Sequence, residues 1–163
     1  MAITVQVEVR LRQPLDVVFD ALVAVERWPE WLIASGIVRV AVVGGAPVAA
    51  GSRLTIEQRV AGRAGTIQAT ITTFEVPGRF ALSGRDADGI SLAIRADLVA
   101  DLVADPVADP VADGFATVLR WDLRLGLPLK YRMFEGMAKP QVKRAVALDL
   151  EAFRRRVEGA TAD

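Results

Sequence analysis

Side chains suited to chemistry are scarce in this sequence. It has one tyrosine, Tyr131, and neither histidine nor cysteine. Lacking histidine, the chain is without its best general base near neutral pH and without the commonest metal ligand. Lacking cysteine, it forms no disulfide and no thiolate metal site. Tyr131 precedes the last helical region, where it either borders a cavity mouth or packs as a surface or hinge residue. Beyond Tyr131, the polar groups in otherwise apolar surroundings are Gln58, Thr73, Thr117 and the indole N–H of Trp121. Hydroxyl, amide and indole groups can orient a substrate, but acid–base work on an enol usually needs a base, an acid or a set of oxyanion donors.

Composition narrows the partners. The chain has 163 residues, enough for one domain with a substantial core. Twenty basic and twenty acidic residues cancel, so no overall field draws the protein to nucleic acid or to an anionic membrane. Arg154-Arg-Arg156 is a local basic run, read as a solvated helix end whose cations oppose the helix dipole. Hydrophobic residues make up 52%, much of it valine and alanine, yet no apolar run approaches the roughly 18 residues of a membrane span. Met1 leads directly into an alternating strand without a signal-peptide pattern, which places the protein in the cytoplasm.

These side chains must be positioned by strands and by one long helix. Ile3, Val5, Val7, Val9 and Leu11 alternate with polar residues, as in a half-buried strand. Pro14 opens a helix carrying Leu15, Val18, Phe19, Leu22 and Val23 at helical spacing. Glu26-Arg-Trp-Pro-Glu-Trp31 predicts a second short helix, its tryptophans serving either as an anchor or as a ligand wall. Strands follow over 37–43, 53–60, 66–74 and 79–85, separated by glycine and proline turns. Asp86-Ala-Asp-Gly89 closes the next hairpin; it lacks the remaining ligands and distal glutamate of a calcium loop, so no metal is expected there. Strands over 89–99 and 115–125 complete the set. Val142, Val146, Asp149/Leu150, Phe153 and Val157 then mark an apolar helical stripe, and Pro140 either starts that helix or kinks one begun near Leu129.

A tandem repeat interrupts this pattern: Ala96-Asp-Leu-Val, Ala100-Asp-Leu-Val, Ala104-Asp-Pro-Val, Ala108-Asp-Pro-Val. As a helix it would stack Asp97, Asp101 and Asp105 in a like-charge column and break at Pro106 and Pro110. It is therefore read as the end of a strand followed by a hairpin-loop insertion at 100–113, within a single domain spanning 1–163.

The order is strand, two short helices, six strands, long helix. With Pro14 to Phe19, Arg27-Trp-Pro-Glu-Trp31, Glu75-Val-Pro-Gly-Arg-Phe80, Trp121, Gly126-Leu-Pro128, Ala138-Lys-Pro140 and Asp149-Leu-Glu-Ala-Phe-Arg154, it resembles the START-like (SRPBCC, Bet v 1-type) superfamily, and within it the polyketide cyclase/dehydrase-like branch. The resemblance implies an α+β helix-grip fold: a seven-stranded antiparallel sheet wrapped around a long C-terminal helix, often with an apolar cavity between them. It does not choose among lipid carriers, hormone binders and cyclases.

Strand parity bears on that choice. Among the residues sharing the apolar strand faces there is no Asp, Glu, Lys or Arg, except that Arg39 shares parity with Ile37 and Ala41, an assignment that a one-residue bulge would flip. Such an interior suits a small apolar ligand held by a few hydrogen bonds. The expected lining is Leu54, Ile56, Gln58, Ile71, Phe80, Leu82, Leu92, Thr117, Leu119 and Trp121 from the strands, with Tyr131, Met137, Val142 and Val146 from the last helical region. No cofactor is expected, and a homodimer through a strand edge is compatible but not required. The leading reading is a non-catalytic binder of a small hydrophobic molecule. The alternatives are a cyclase or dehydratase acting on a polyketide-like substrate, and an interaction domain whose interior is filled by side chains.

Overall fold

The computed structural model describes residues 2–45, 47–60, 62–100 and 117–159. Strand β1 (Ala2–Leu11) is followed by helix α1 (Leu15–Val23) and a 3-10 helix (Val25–Glu30). Six strands come next: β2 (Ile37–Val42), β3 (Arg53–Val60), β4 (Arg63–Glu75), β5 (Arg79–Asp86), β6 (Ser91–Ala100) and β7 (Thr117–Gly126). A second 3-10 helix (Leu129–Phe134) runs into α2 (Glu135–Gly159). The strands form one antiparallel sheet in the order β1-β7-β6-β5-β4-β3-β2, gripping α2 in its concave face. This is the expected helix-grip architecture. Of the 100–113 insertion, Ala100 ends β6 and the rest lies outside the described residues. Within the first repeat unit, Asp97 points outward and pairs with Arg79 at 3.0 Å and Arg95 at 2.9 Å.

Alternation explains the sheet. Ile3 and Val5 are buried while Thr4 and Gln6 face outward, and the pattern recurs in β7 with Leu119, Trp121 and Leu123 inside. Two bulges break the simple parity. In β2 the register shifts between Ile37 and Arg39, so Val40 is buried and Arg39 lies in solvent. In β4 it shifts between Ile71 and Thr73; Thr73 then pairs with outward Ala81, and Phe74 turns inward beside Phe80. Thr73 is therefore not among the inward polar groups, contrary to the simple parity. The β3–β4 turn is also tighter than expected: Val60 pairs with Arg63, and β4 begins there rather than at Thr66.

Helix α2 starts before Pro140, so this proline sits inside it at the loss of one backbone hydrogen bond. The stripe of Val146, Asp149, Leu150, Phe153 and Val157 is buried. Its C-terminal end is fastened to the turn after β1. The Arg12 backbone N–H donates to the Glu158 carboxylate at 3.0 Å, and Gln13 Nε2 donates to the Val157 carbonyl at 3.3 Å. Thr117 Oγ1 donates to the Gln13 carbonyl at 2.7 Å and is wholly buried.

Candidate ligand cavity

Seven aromatic rings form a connected cluster between sheet and helices. Phe19, Phe74 and Phe80 stack edge-on at one end, at 5.6 and 6.3 Å between centroids. Trp28 joins them through Phe80 at 6.0 Å, and Trp31 reaches α2 through Phe153 at 4.8 Å. Trp121 contacts both tryptophans, at 6.1 Å from Trp28 and 5.8 Å from Trp31. The 3-10 helix bearing Trp28 is held because the Trp28 indole N–H donates to the Leu22 carbonyl at 2.8 Å. Trp28 and Trp121 thus anchor the fold with one side and present the other to open space.

That space is a cavity of about 310 Å³ under the first half of α2. Ile56, Gln58 and Val60 of β3 form one wall, and Leu92 and Ile94 of β6 with Trp121, Leu123 and Leu125 of β7 form the other. Ala138, Gln141, Val142, Ala145 and Val146 of α2 cover it; Trp28, Leu32, Ala34, Ser35 and Ile37 close one side. It continues into a hollow of about 430 Å³ that shares Gln58, Val60, Leu92, Leu125 and Ala138, with Arg63, Asp88, Tyr131 and Phe134 on its rim. The mouth thus lies between the β3–β4 and β5–β6 turns and the entry to α2.

No side chain lining the inner cavity is ionisable. Its polar groups are few. Gln58 Nε2 donates to the Ser35 carbonyl at 3.1 Å, which leaves the amide oxygen as an acceptor. The Trp121 N–H has no acceptor among the described residues, and no buried side-chain nitrogen or oxygen among them is sealed without a partner, so this N–H meets open space. The Trp121 N–H and the Gln58 amide oxygen, with the Gln141 amide on the helix side, therefore face a largely apolar enclosure.

The helical stripe also carries a carboxylate, Asp149, buried just outside the lining. It accepts from the Ala34 N–H at 2.7 Å and from the Ser35 N–H at 2.8 Å. Burial pushes its pKa up, while the Ser35 hydroxyl and the two N–H groups pull it back. The group serves as a clamp between α2 and the 33–36 turn. Gly36 completes that turn with φ of 77°, and a Cβ there would lie 2.1 Å from the Arg59 carbonyl oxygen. At the mouth, Arg63 donates to the Tyr131 hydroxyl at 2.8 Å and pairs with Asp88. The hydrogen bond from Arg63 is the main cause of a lowered Tyr131 pKa. Asp86 turns its carboxylate onto the Asp88 and Ile90 N–H groups of its own turn, both at 2.9 Å.

Of the residues expected from sequence, Ile56, Gln58, Leu92, Trp121, Val142 and Val146 line the cavity, and Tyr131 borders its mouth. Leu54, Ile71, Phe80, Leu82, Thr117 and Leu119 face inward but pack in the solid part of the core. Met137 is 71% exposed and lines neither space, because α2 begins before Pro140 and presents Ala138 instead. Sequence reasoning left out of the lining Leu32, Ala34, Ser35 and Ile37 after the first 3-10 helix, Val60, Ile94, Leu123 and Leu125 of the strands, and Ala138, Gln141 and Ala145 of α2. The alanines at 138 and 145, seven apart on one helix face, were the available signal.

Solved structures share this architecture. A START superfamily protein from Mycobacterium smegmatis superposes with a TM-score of 0.73 at 17% identity, covering 97% of this chain and 99% of that one. A Thermus thermophilus protein gives 0.74 at 14%, covering 98% and 99%. A Staphylococcus aureus protein of unknown function gives 0.70 at 10%, covering 100% and 98%. No curated protein matches the sequence significantly. A family model does match, over residues 2–158, and the chain therefore belongs to the family described as polyketide cyclase / dehydrase and lipid transport.

Proposed function

We propose that the protein binds and carries a small, uncharged hydrophobic molecule in the cavity under α2, without transforming it. The observation that carries this reading is the lining: about 310 Å³ of space without one ionisable side chain. A space of that size is at the lower end of ligand sites, and its walls favour an apolar body with one polar group. The Trp121 N–H suits a carbonyl or hydroxyl oxygen of such a ligand, and the Gln58 amide oxygen suits a hydroxyl. A carboxylate or ammonium would be desolvated there without a counter-charge, a cost that excludes charged ligands. General acid–base catalysis has no side chain to work through inside, since the buried Asp149 is held by two N–H groups outside the lining.

The test is native mass spectrometry of the purified protein, with organic extraction and identification of what is released. Titration with an apolar fluorophore then follows quenching of tryptophan emission. The expected result is one molecule per chain, displaced competitively by the extracted compound and recovered unchanged. Chemical conversion of the bound compound, or no uptake of any apolar probe, would overturn the reading.

A further inference from the structure

The entry to α2 carries an apolar patch that the protein leaves uncovered. Leu129 is 76% exposed, Met133 88%, Phe134 57% and Met137 71%. Single exposed apolar residues are ordinary, but four within nine positions form a patch. The same stretch, 129–144, holds Lys130, Arg132, Lys139, Lys143 and Arg144 against one carboxylate, Glu135. None of the five cations is paired with a carboxylate among the described residues. The contrast with the other basic run is direct. Arg154 pairs with Glu151 and Glu158, Arg155 with Glu151 and Arg156 with Glu30, so that run is neutralised where it stands.

We infer that the 129–144 segment is a docking surface for an anionic lipid bilayer, one that sets the cavity mouth against the headgroups. Lys130 lies over the Tyr131 ring at 5.0 Å, but none of the five has its charge offset by a carboxylate among the described residues. Apolar side chains interleaved with such cations match the two signals that reversible membrane association needs: buried apolar area and attraction to anionic lipid. A second copy of the chain fits less well. A two-fold interface would bring this positive segment against itself. The placement adds weight, because Phe134 and Ala138 belong both to the segment and to the mouth of the cavity. No helix among the described residues is long and apolar enough to cross a membrane, so the contact is peripheral. Chain neutrality is no obstacle, since the surface potential of a membrane decays within about 10 Å and acts on the nearest charges.

Co-sedimentation tests this with vesicles of mixed phosphatidylcholine and phosphatidylglycerol and with pure phosphatidylcholine vesicles. The intact chain should bind the mixed vesicles, lose binding as salt rises, and ignore the neutral ones. K139Q and K143Q should each weaken binding about fivefold. The double variant M133S/M137S should lose it at every salt concentration. All four positions are exposed, so circular dichroism should show an unchanged fold. Failure of the intact chain to bind anionic vesicles would overturn the proposal, as would equal binding to both vesicle types or unchanged binding of the variants. A solution dimer dissolved by M133S/M137S would assign the patch to a second copy and also overturn it. Docking needs no bound ligand, so its failure would leave the cavity reading standing, and the reverse.

Discussion

The two halves of the interior use the same strands and the same helix, yet one is solid and the other hollow. Toward the C-terminal end of α2, Leu150, Phe153 and Val157 are buried in one cluster with Phe19 and Phe80, and the turn after β1 is fastened by Arg12, Gln13 and Thr117. Toward its N-terminal end, α2 offers Ala138, Val142 and Ala145 to Val60, Leu92 and Leu125. Polarity does not separate the halves, since both are apolar. Side-chain volume does: rings close one end, while alanine and valine cannot fill the other at native packing density.

Four substitutions probe this contrast. The largest effect is expected for Phe153→Ala in the solid half, a loss of about 3–5 kcal/mol measured by denaturant unfolding. A loss below that of Trp121→Ala would reverse the assignment of solid and hollow. Trp121 borders open space on one side, so Trp121→Ala should cost about 2–3 kcal/mol while abolishing uptake of an apolar probe.

Asp149→Asn replaces one acceptor facing two backbone donors and should cost about 2 kcal/mol at neutral pH. Its pH dependence gives a second check. Burial raises the folded-state pKa of Asp149 above the ordinary aspartate value, so the folded chain holds this proton more tightly than the unfolded chain. Stability from this group therefore falls as pH rises through the folded pKa and returns on acidification toward the ordinary value. The stability gap between wild type and Asp149→Asn should widen in that acidic window; a flat gap would show that Asp149 does not titrate as burial dictates. The smallest effect belongs to Ala145→Leu, which adds volume where space exists. It should shift stability by less than about 1 kcal/mol yet block probe uptake; a large destabilisation would mean the hollow half is already full.

Much of this was legible in the sequence, and the exceptions have physical causes. The alternation in β1 and β7 and the 3–4 spacing in α2 yield the element order directly. The bulge in β4 was not legible: Thr73 and Phe74 are both good strand residues, and nothing local says which turns inward. Parity also assigns a face but not a depth. Leu54 and Ile56 share a face, yet one packs solidly and the other lines the cavity. Depth depends on which helix residues lie opposite, and that followed from where α2 begins, a point Pro140 left open. The full neutralisation of the Arg154–Arg156 run was only partly visible: Glu151 and Glu158 lie within a helical turn of Arg154, but Glu30, the partner of Arg156, is 126 positions away in sequence.

The clamp made by Asp149 has a consequence for how occupancy would be detected. Ala34 and Ser35 line the cavity, while their amides are gripped from the helix and the Ser35 carbonyl receives Gln58 from the sheet. One short turn thus joins lid, floor and contents. Amide hydrogen exchange at Ala34 and Ser35 should slow when the cavity fills, giving a site-resolved reporter that needs no labelled ligand.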